Sequence, residues 1–388
     1  MRMARNEWSR RCIAVGIALL VVLLYAGTAQ AKVTLVEKVG EKQLKLDIYG
    51  FGQLEARGGD GQSAEGGLFF QAQRLRIGFN YFHGHMASKL FLDFTQSYTS
   101  NEGGLPKVIK DAFVAYRWSN AAFIRLGMIK TPVGMSFTVP GWDLDNVERQ
   151  GLDKGLVLER DFGLMLSGRL IGQEKFTKKP MQTNGLEMGT EHQGYGLGYD
   201  IGVFNPAGRS SAVTWNTAQL GDALAYAGRL HWDSGPKFHA EAGYGTSQEA
   251  SGVAGSEDYT VFDVGVSSEW PTFEVKGEYI NGDGIRGVKD WKQNTVALTF
   301  GYFFGNHVEA VVKHYAASSD RPGKPKADLG NTYVGLNFYI DPLSSKHRDL
   351  QRNRVIINYI IASGDTDIWA GIGGYKDDGW VVQYQYKF

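Results

Sequence analysis

Trp380-Val381-Val382-Gln383-Tyr384-Gln385-Tyr386-Lys387-Phe388 closes the chain, and its period is two: Trp380, Val382, Tyr384, Tyr386 and Phe388 share one face, and Val381, Gln383, Gln385 and Lys387 share the other. Arg74-Leu75-Arg76-Ile77-Gly78-Phe79-Asn80-Tyr81 repeats the pattern, with Leu75, Ile77, Phe79 and Tyr81 on one side and Arg74, Arg76, Gly78 and Asn80 on the other. Similar blocks fall near 43–57, 71–82, 87–98, 107–117, 121–131, 160–171, 193–204, 222–233, 237–247, 258–270, 272–280, 291–304, 307–317, 331–341, 353–363 and 378–388. Gly, Asp, Asn and Ser separate them, as turn chemistry requires. The expected fold is therefore all-β with about 16 strands, and no amphipathic helix of about 12 residues competes.

Alternation also suits a soluble sandwich, which hides one face and wets the other. Here the apolar faces carry large aromatics at strand ends, among them Tyr116, Trp232, Trp270, Tyr302 and Tyr339, as membrane girdles do. The opposite faces repeat charges and glycines, which a dry core would not accept. Strands of about 9–11 residues span hydrocarbon when tilted, and closure satisfies every backbone group. A transmembrane antiparallel β-barrel follows.

Composition agrees: 51 glycines in 388 residues, about twice ordinary usage, accompany 19 Tyr, 21 Phe and 9 Trp. Forty-one basic residues balance 41 acidic ones, so bulk basicity gives no argument for nucleic-acid binding. The single Cys12 excludes a disulfide framework and a cysteine-based zinc site. Arg2, Arg5, Arg10 and Arg11 precede an apolar run from Ile13 to Tyr25, and Ala29-Gln30-Ala31 follows, so residues 1–31 read as a cleaved signal peptide. Residues 32–388 are the expected barrel, exported to the outer membrane of a Gram-negative-type bacterium, in contact with lipid and lipopolysaccharide.

Two segments carry a family resemblance. Ile109-Lys110-Asp111-Ala112-Phe113-Val114-Ala115-Tyr116-Arg117 leads into Phe123-Ile124-Arg125-Leu126-Gly127-Met128-Ile129-Lys130-Thr131-Pro132-Val133-Gly134, a pairing similar to the phosphate-selective porin O and P family. Arg74-Leu75-Arg76-Ile77-Gly78 and Leu158-Glu159-Arg160-Asp161-Phe162-Gly163-Leu164 resemble its neighbouring strands. The resemblance covers roughly residues 70–170. It implies a homotrimer of 16-stranded barrels, each pore narrowed by an inward-folded third loop. Residues 131–158 stand where that loop belongs, with Trp142, Asp143, Asp145, Glu148, Arg149 and Lys154 on it; an outer loop facing solvent is the alternative.

Taking the polar face of each strand as inward, the first half of the barrel offers Arg74, Arg76, Lys89, Arg117, Arg125, Arg169 and Arg229 against Asp93, Asp111, Asp200 and Asp233. The second half offers Glu241, Asp263, Glu269, Glu274, Glu278 and Glu309 against Lys276 and Lys313. A basic wall is thus expected to face an acidic one, either setting a transverse field or pairing to keep the lumen wet. Lys130 falls on the outward parity; the resemblance adds it to the pore-lining set as a strand-end residue beside the loop. Gly282-Asp283-Gly284-Ile285-Arg286-Gly287 matches a dinucleotide fingerprint only literally, because a strand follows where a helix is needed. His83 and His85 read as turn residues. His231 with Asp233 is an inward pair lacking a nucleophile, so no catalytic residue, metal or cofactor is expected. The functions left are a channel for small hydrophilic solutes and ions, phosphate included, or an envelope scaffold of little conductance.

Overall fold

The computed structural model describes residues 33–39, 42–59, 67–95, 108–147, 156–174, 194–205, 223–248, 257–340, 353–364, 375 and 377–387. The expected signal peptide, Glu148, Arg149, Lys154 and Phe388 lie outside them. A short strand, β1 (Val33–Val39), precedes the main sheet. Then come β2 (Lys42–Gly58), β3 (Phe69–His83), β4 (Met86–Asp93), β5 (Ile109–Arg117), β6 (Phe123–Lys130) and β7 (Arg160–Arg169). After the two-residue β8 (Gln173–Glu174) follow β9 (Gly194–Phe204), β10 (Ala225–Ser234), β11 (Phe238–Ser247), β12 (Tyr259–Glu269) and β13 (Phe273–Asp283). The chain ends with β14 (Lys292–Phe304), β15 (Val308–Asp320), β16 (Ala327–Tyr339), β17 (Arg354–Gly364) and β18 (Gly379–Lys387).

Each main strand pairs antiparallel with its sequence neighbour, β7 pairs with β9, and β18 returns to β2 from Trp380 opposite Gly58 to Lys387 opposite Phe51. The ring from β2 to β18, without β8, is a closed barrel of 16 strands, matching the expected blocks one for one. β1 was not expected: Leu35-Val36 breaks its alternation. It continues along the half of β2 that β18 leaves unpaired, from Val33 opposite Ile48 to Val39 opposite Lys42. That covers backbone groups which would otherwise form an open edge.

The partition of side chains is inverted relative to a soluble protein. Outward Leu126, Ile201, Leu230 and Leu298 are each more than half exposed, while inward Arg125, Asp263, Gln383 and Gln385 are buried. Among the described residues no helix is long and apolar enough to cross a membrane. Tyr116, Trp232, Trp270 and Tyr302 face outward as expected. Tyr339 does not: its ring points inward and its hydroxyl donates to the Glu309 carboxylate. Phe338 and Tyr339 are adjacent aromatics at a strand end, and the one with a hydroxyl takes the polar side.

Strand direction alternates, so connections 84–85, 118–122, 235–237, 270–272 and 305–307 share one rim. The opposite rim carries longer ones, including 131–159.

Candidate functional site: the 131–158 connection and the inner wall

Gly127, near the end of β6, has φ +134°, and an added Cβ would stand 2.3 Å from the Ala112 carbonyl oxygen. Strict alternation ends there: Met128 and Ile129 are both buried, and Lys130 swings inward. The outward parity expected for Lys130 is thereby corrected, because glycine's left-handed backbone resets the faces. Thr131 then closes the neck of the connection, its N–H and Oγ1 both donating to the Glu159 carbonyl at 2.9 and 2.8 Å.

Pro132 and Gly134 (φ +89°) turn the chain into a four-residue helix, α1 (Met135–Thr138). Lys130 Nζ donates to the carbonyls of Phe137, Thr138 and Val139 at 3.3, 2.8 and 3.3 Å, placing a cation at the carbonyl end of α1. On β13, Glu278 accepts from the Ser136 N–H at 3.2 Å and from its hydroxyl. Arg229 Nη1 reaches Thr138 Oγ1 at 3.4 Å.

Beyond α1, Pro140-Gly141 makes a second turn, with the Asp143 N–H on the Pro140 carbonyl at 3.0 Å. Trp142 inserts its ring edge-on among Tyr49, Phe51 and Phe91, with centroids 6.1, 5.3 and 6.0 Å away, and Lys387 Nζ lies 4.6 Å from its ring. Side chains of the far wall then fasten the backbone. Gln53 donates to the Gly141 carbonyl, and Arg354 donates to those of Trp142 and Leu144 at 3.1 and 2.6 Å. Gln385 also meets Trp142, Asn337 meets Asp145, and Asn358 and Gln383 hold the N–H and carbonyl of Val147. Asp145 pairs with Lys276 Nζ at 2.9 Å. Burial pushes the Asp145 carboxyl upward, but Lys276 outweighs it and holds the group below its ordinary value. The connection leaves β6 and docks on β13, β16, β17, β18 and β2, four to seven strands away around the ring.

An apolar cluster lines this docking. Val133, Phe137, Val147, Leu156, Val157 and Leu158 pack with inner-wall Phe113, Met165, Val261, Ile280, Ile360 and Val381. The inner face, expected to repeat charges and glycines, also carries these apolar residues: the connection supplies apolar cover, so they need not meet water.

The predicted basic residues divide into two groups. Arg74 and Arg76 meet the connection: an added Cβ on Gly141 would lie 3.3 Å from Arg74 Nε and from Arg76 Nη1. Arg76 also pairs with Asp93 at 2.9 Å and sits 5.5 Å from the Phe51 ring. Lys130 and Arg229 contact the connection as described. Arg117 and Arg169 instead lie toward the short-turn rim, Arg117 on Asn120 and Arg169 on Asp233 and the Gly196 carbonyl. Arg125, nearby on β6, reaches Ser167 Oγ at 3.4 Å and lies 4.5 Å from the Phe123 ring.

Acids on the basic side are locally paired: Asp111 with Arg160 and Lys89 at 2.7 and 3.4 Å, and Asp200 with Arg229 at 2.8 Å. Glu241 on β11 also pairs with Arg229, at 2.9 Å, so the expected border between the two walls is bridged. Asp263 is buried beside Gly243, and Glu274 lies 3.7 Å from Lys276. Sequence reasoning missed Arg160, whose strand-start position turns it inward over Phe137. It also missed the dock formed by Arg354, Asn337, Asn358, Gln383 and Gln385, although the same inward parity selects all five.

No family model and no curated protein matches this sequence. Solved structures do. The chain is similar to OmpF of Salmonella typhi, solved with daunomycin (TM-score 0.61, 14% identity, covering 89% of this chain and 98% of that one). It is similar to the outer-membrane channel DcaP of Acinetobacter baumannii (TM-score 0.59, 12% identity, 89% and 97%). An anion-selective porin from Comamonas acidovorans gives 0.56 at 14% identity, covering 89% and 100%. At these identities the likeness is one of fold: the chain has the 16-stranded barrel architecture of porins.

Proposed function

We propose that this chain is an outer-membrane channel for passive diffusion of small hydrophilic solutes and inorganic ions, delivered by a cleaved signal peptide and assembled as a homotrimer in lipid and lipopolysaccharide. The observation that carries this reading is the inverted partition: an apolar outer band around a charged inner wall, with residues 131–147 and 156–158 of the connection docked inside. That connection is the constriction. Arg74 and Arg76 approach it from one side, and Glu274 and Glu278 from the other. Anions pass along the arginines by forked, charge-assisted contacts, phosphate among them. The acids opposite keep this preference weak. The experiment is single-channel conductance of the purified protein in a planar bilayer, with reversal potential across a potassium chloride gradient. Discrete ohmic steps with a modest anion preference support the proposal; silence from well-folded protein sinks it.

A second reading is favoured by the apolar cluster between the connection and the wall, which occupies part of the interior. On that reading the barrel is an envelope scaffold, and the same silent bilayer is its expected result.

A further inference from the structure

Four inward side chains form a square beside the 235–237 turn. Asp233 on β10 is opposite His239 on β11, and His231 is opposite Glu241. Directly opposed residues of antiparallel strands stand about 4.5–5.5 Å apart at Cα, close enough for their side chains to share one ligand. Asp233 Oδ2 is 3.0 Å from His231 Nδ1, and Asp233 Oδ1 is 2.7 Å from His239 Nδ1. His239 Nε2 is 2.8 Å from Glu241 Oε2. One ligating atom from each of His231, Asp233 and His239 can be chosen so that all lie within 4.8 Å of one another.

Neighbouring ligands of one ion, each bonded at about 2.1 Å, stand roughly 3 Å apart. The nitrogen-to-oxygen separations at Asp233 already have that spacing. Arg169 donates to Asp233 Oδ2 and Arg229 to Glu241 Oε2, so both carboxylates are also held by guanidinium groups, as ligating carboxylates are commonly hydrogen-bonded. The His231 ring rests over Gly198, where an added Cβ would lie 2.4 Å from Nε2. Only a glycine admits the ring there. His231 is half-buried, leaving one side of the square open to the lumen.

We propose that His231, Asp233 and His239 bind a borderline divalent transition-metal ion, of the zinc, nickel or copper type, with Glu241 positioning His239. Two imidazoles and one carboxylate suit those ions, whereas magnesium and calcium take oxygen-rich shells. Three protein ligands leave a coordination position facing the lumen. The guanidinium charges of Arg169 and Arg229 oppose an incoming cation, which sets the affinity in the micromolar rather than the nanomolar range. Inward parity alone joins His231 to Asp233; the third ligand follows from cross-strand register.

The test is calorimetric titration of zinc chloride into the untagged, folded barrel in detergent, with magnesium chloride as comparator. One saturable zinc site per chain at micromolar concentration is expected, with no binding of magnesium there. His231→Gln and His239→Gln are each expected to weaken zinc binding by about tenfold or more. Absence of a saturable site, or binding unchanged in both variants, overturns the proposal. Zinc-edge X-ray absorption of the unmodified protein needs no variant. Two imidazoles per zinc are expected, and a shell of oxygens alone or with one imidazole overturns the assignment.

Discussion

Trp142 is the aromatic anchor of the docked connection. It is nearly buried, meets three aromatic rings edge-on, and lies under the Lys387 ammonium. Truncating a buried tryptophan costs about 3–5 kcal/mol in a packed site. Because the strands close without it, Trp142→Ala should free the connection and leave the barrel intact. Single-channel recordings should show higher conductance with added open-channel noise, while heat-modified gel mobility stays that of folded protein. Lys276 makes the complementary prediction. Asp145 titrates below its ordinary value because Lys276 outweighs its burial. A lowered folded-state pKa gives stability that is complete above the unfolded value of about 3.9 and is lost as pH falls through the folded one. Anchoring should therefore hold down to about pH 4 and fail only below it. Lys276→Met leaves the burial without its counter-charge, which should move the onset of flickering to higher pH. An onset that stays in place would show that the ion pair does not hold the connection.

Among the elements, β6 shows where strand reading succeeds and where it stops. Period two located the strand, and the same rule located all 16 members of the ring, because a closed barrel whose two faces differ in polarity enforces alternation over its whole length. The rule stops at Gly127, where φ is +134°. No pattern of apolar and polar letters reports a backbone angle, so Lys130 changes face without warning; its place in a recognisable strand end pointed to the connection instead. Arg160 escaped for a related reason, since strand ends are free to twist; Tyr339 keeps the inward parity of its strand and was misplaced because its ring suggested the apolar face. The apolar inner cluster was illegible because its cover comes from Val133, Phe137, Val147, Leu156, Val157 and Leu158, far from most of those strands in sequence. Gly127→Val should then cost about 1–3 kcal/mol in backbone strain, and more from contact with Ala112. Gly305, at φ +71° with nothing within 4 Å of an added Cβ, is the control. Asn tolerates that angle, so Gly305→Asn should stay within about 0.5 kcal/mol. Urea titrations of the protein folded in vesicles compare the two.

At the scale of the whole barrel, position in the ring decides which charges act against each other. Counting β2 as first, β3 is second and β13 eleventh, so the strands carrying Arg74 and Arg76 lie nearly opposite those carrying Glu274 and Glu278. Local pairing complicates a simple sum of signs. Arg76 holds Asp93 at 2.9 Å, with Lys110 more distant at 3.8 Å, so Arg76→Gln removes one positive charge and weakens the neutralisation of a negative one. Arg74 bonds Gln53 at 2.5 Å, and Arg74→Gln removes one positive charge. Both should move the reversal potential toward cation preference. Glu274→Gln should move it the other way. Perfect selectivity corresponds to about 59 mV across a tenfold gradient of a monovalent salt, and each shift should be a measurable fraction of that. The effects should shrink as ionic strength rises and the Debye length falls below about 10 Å. Absent shifts in all three variants would mean that ions do not pass between these walls, and the field across the lumen would then serve only to hold the 131–158 connection.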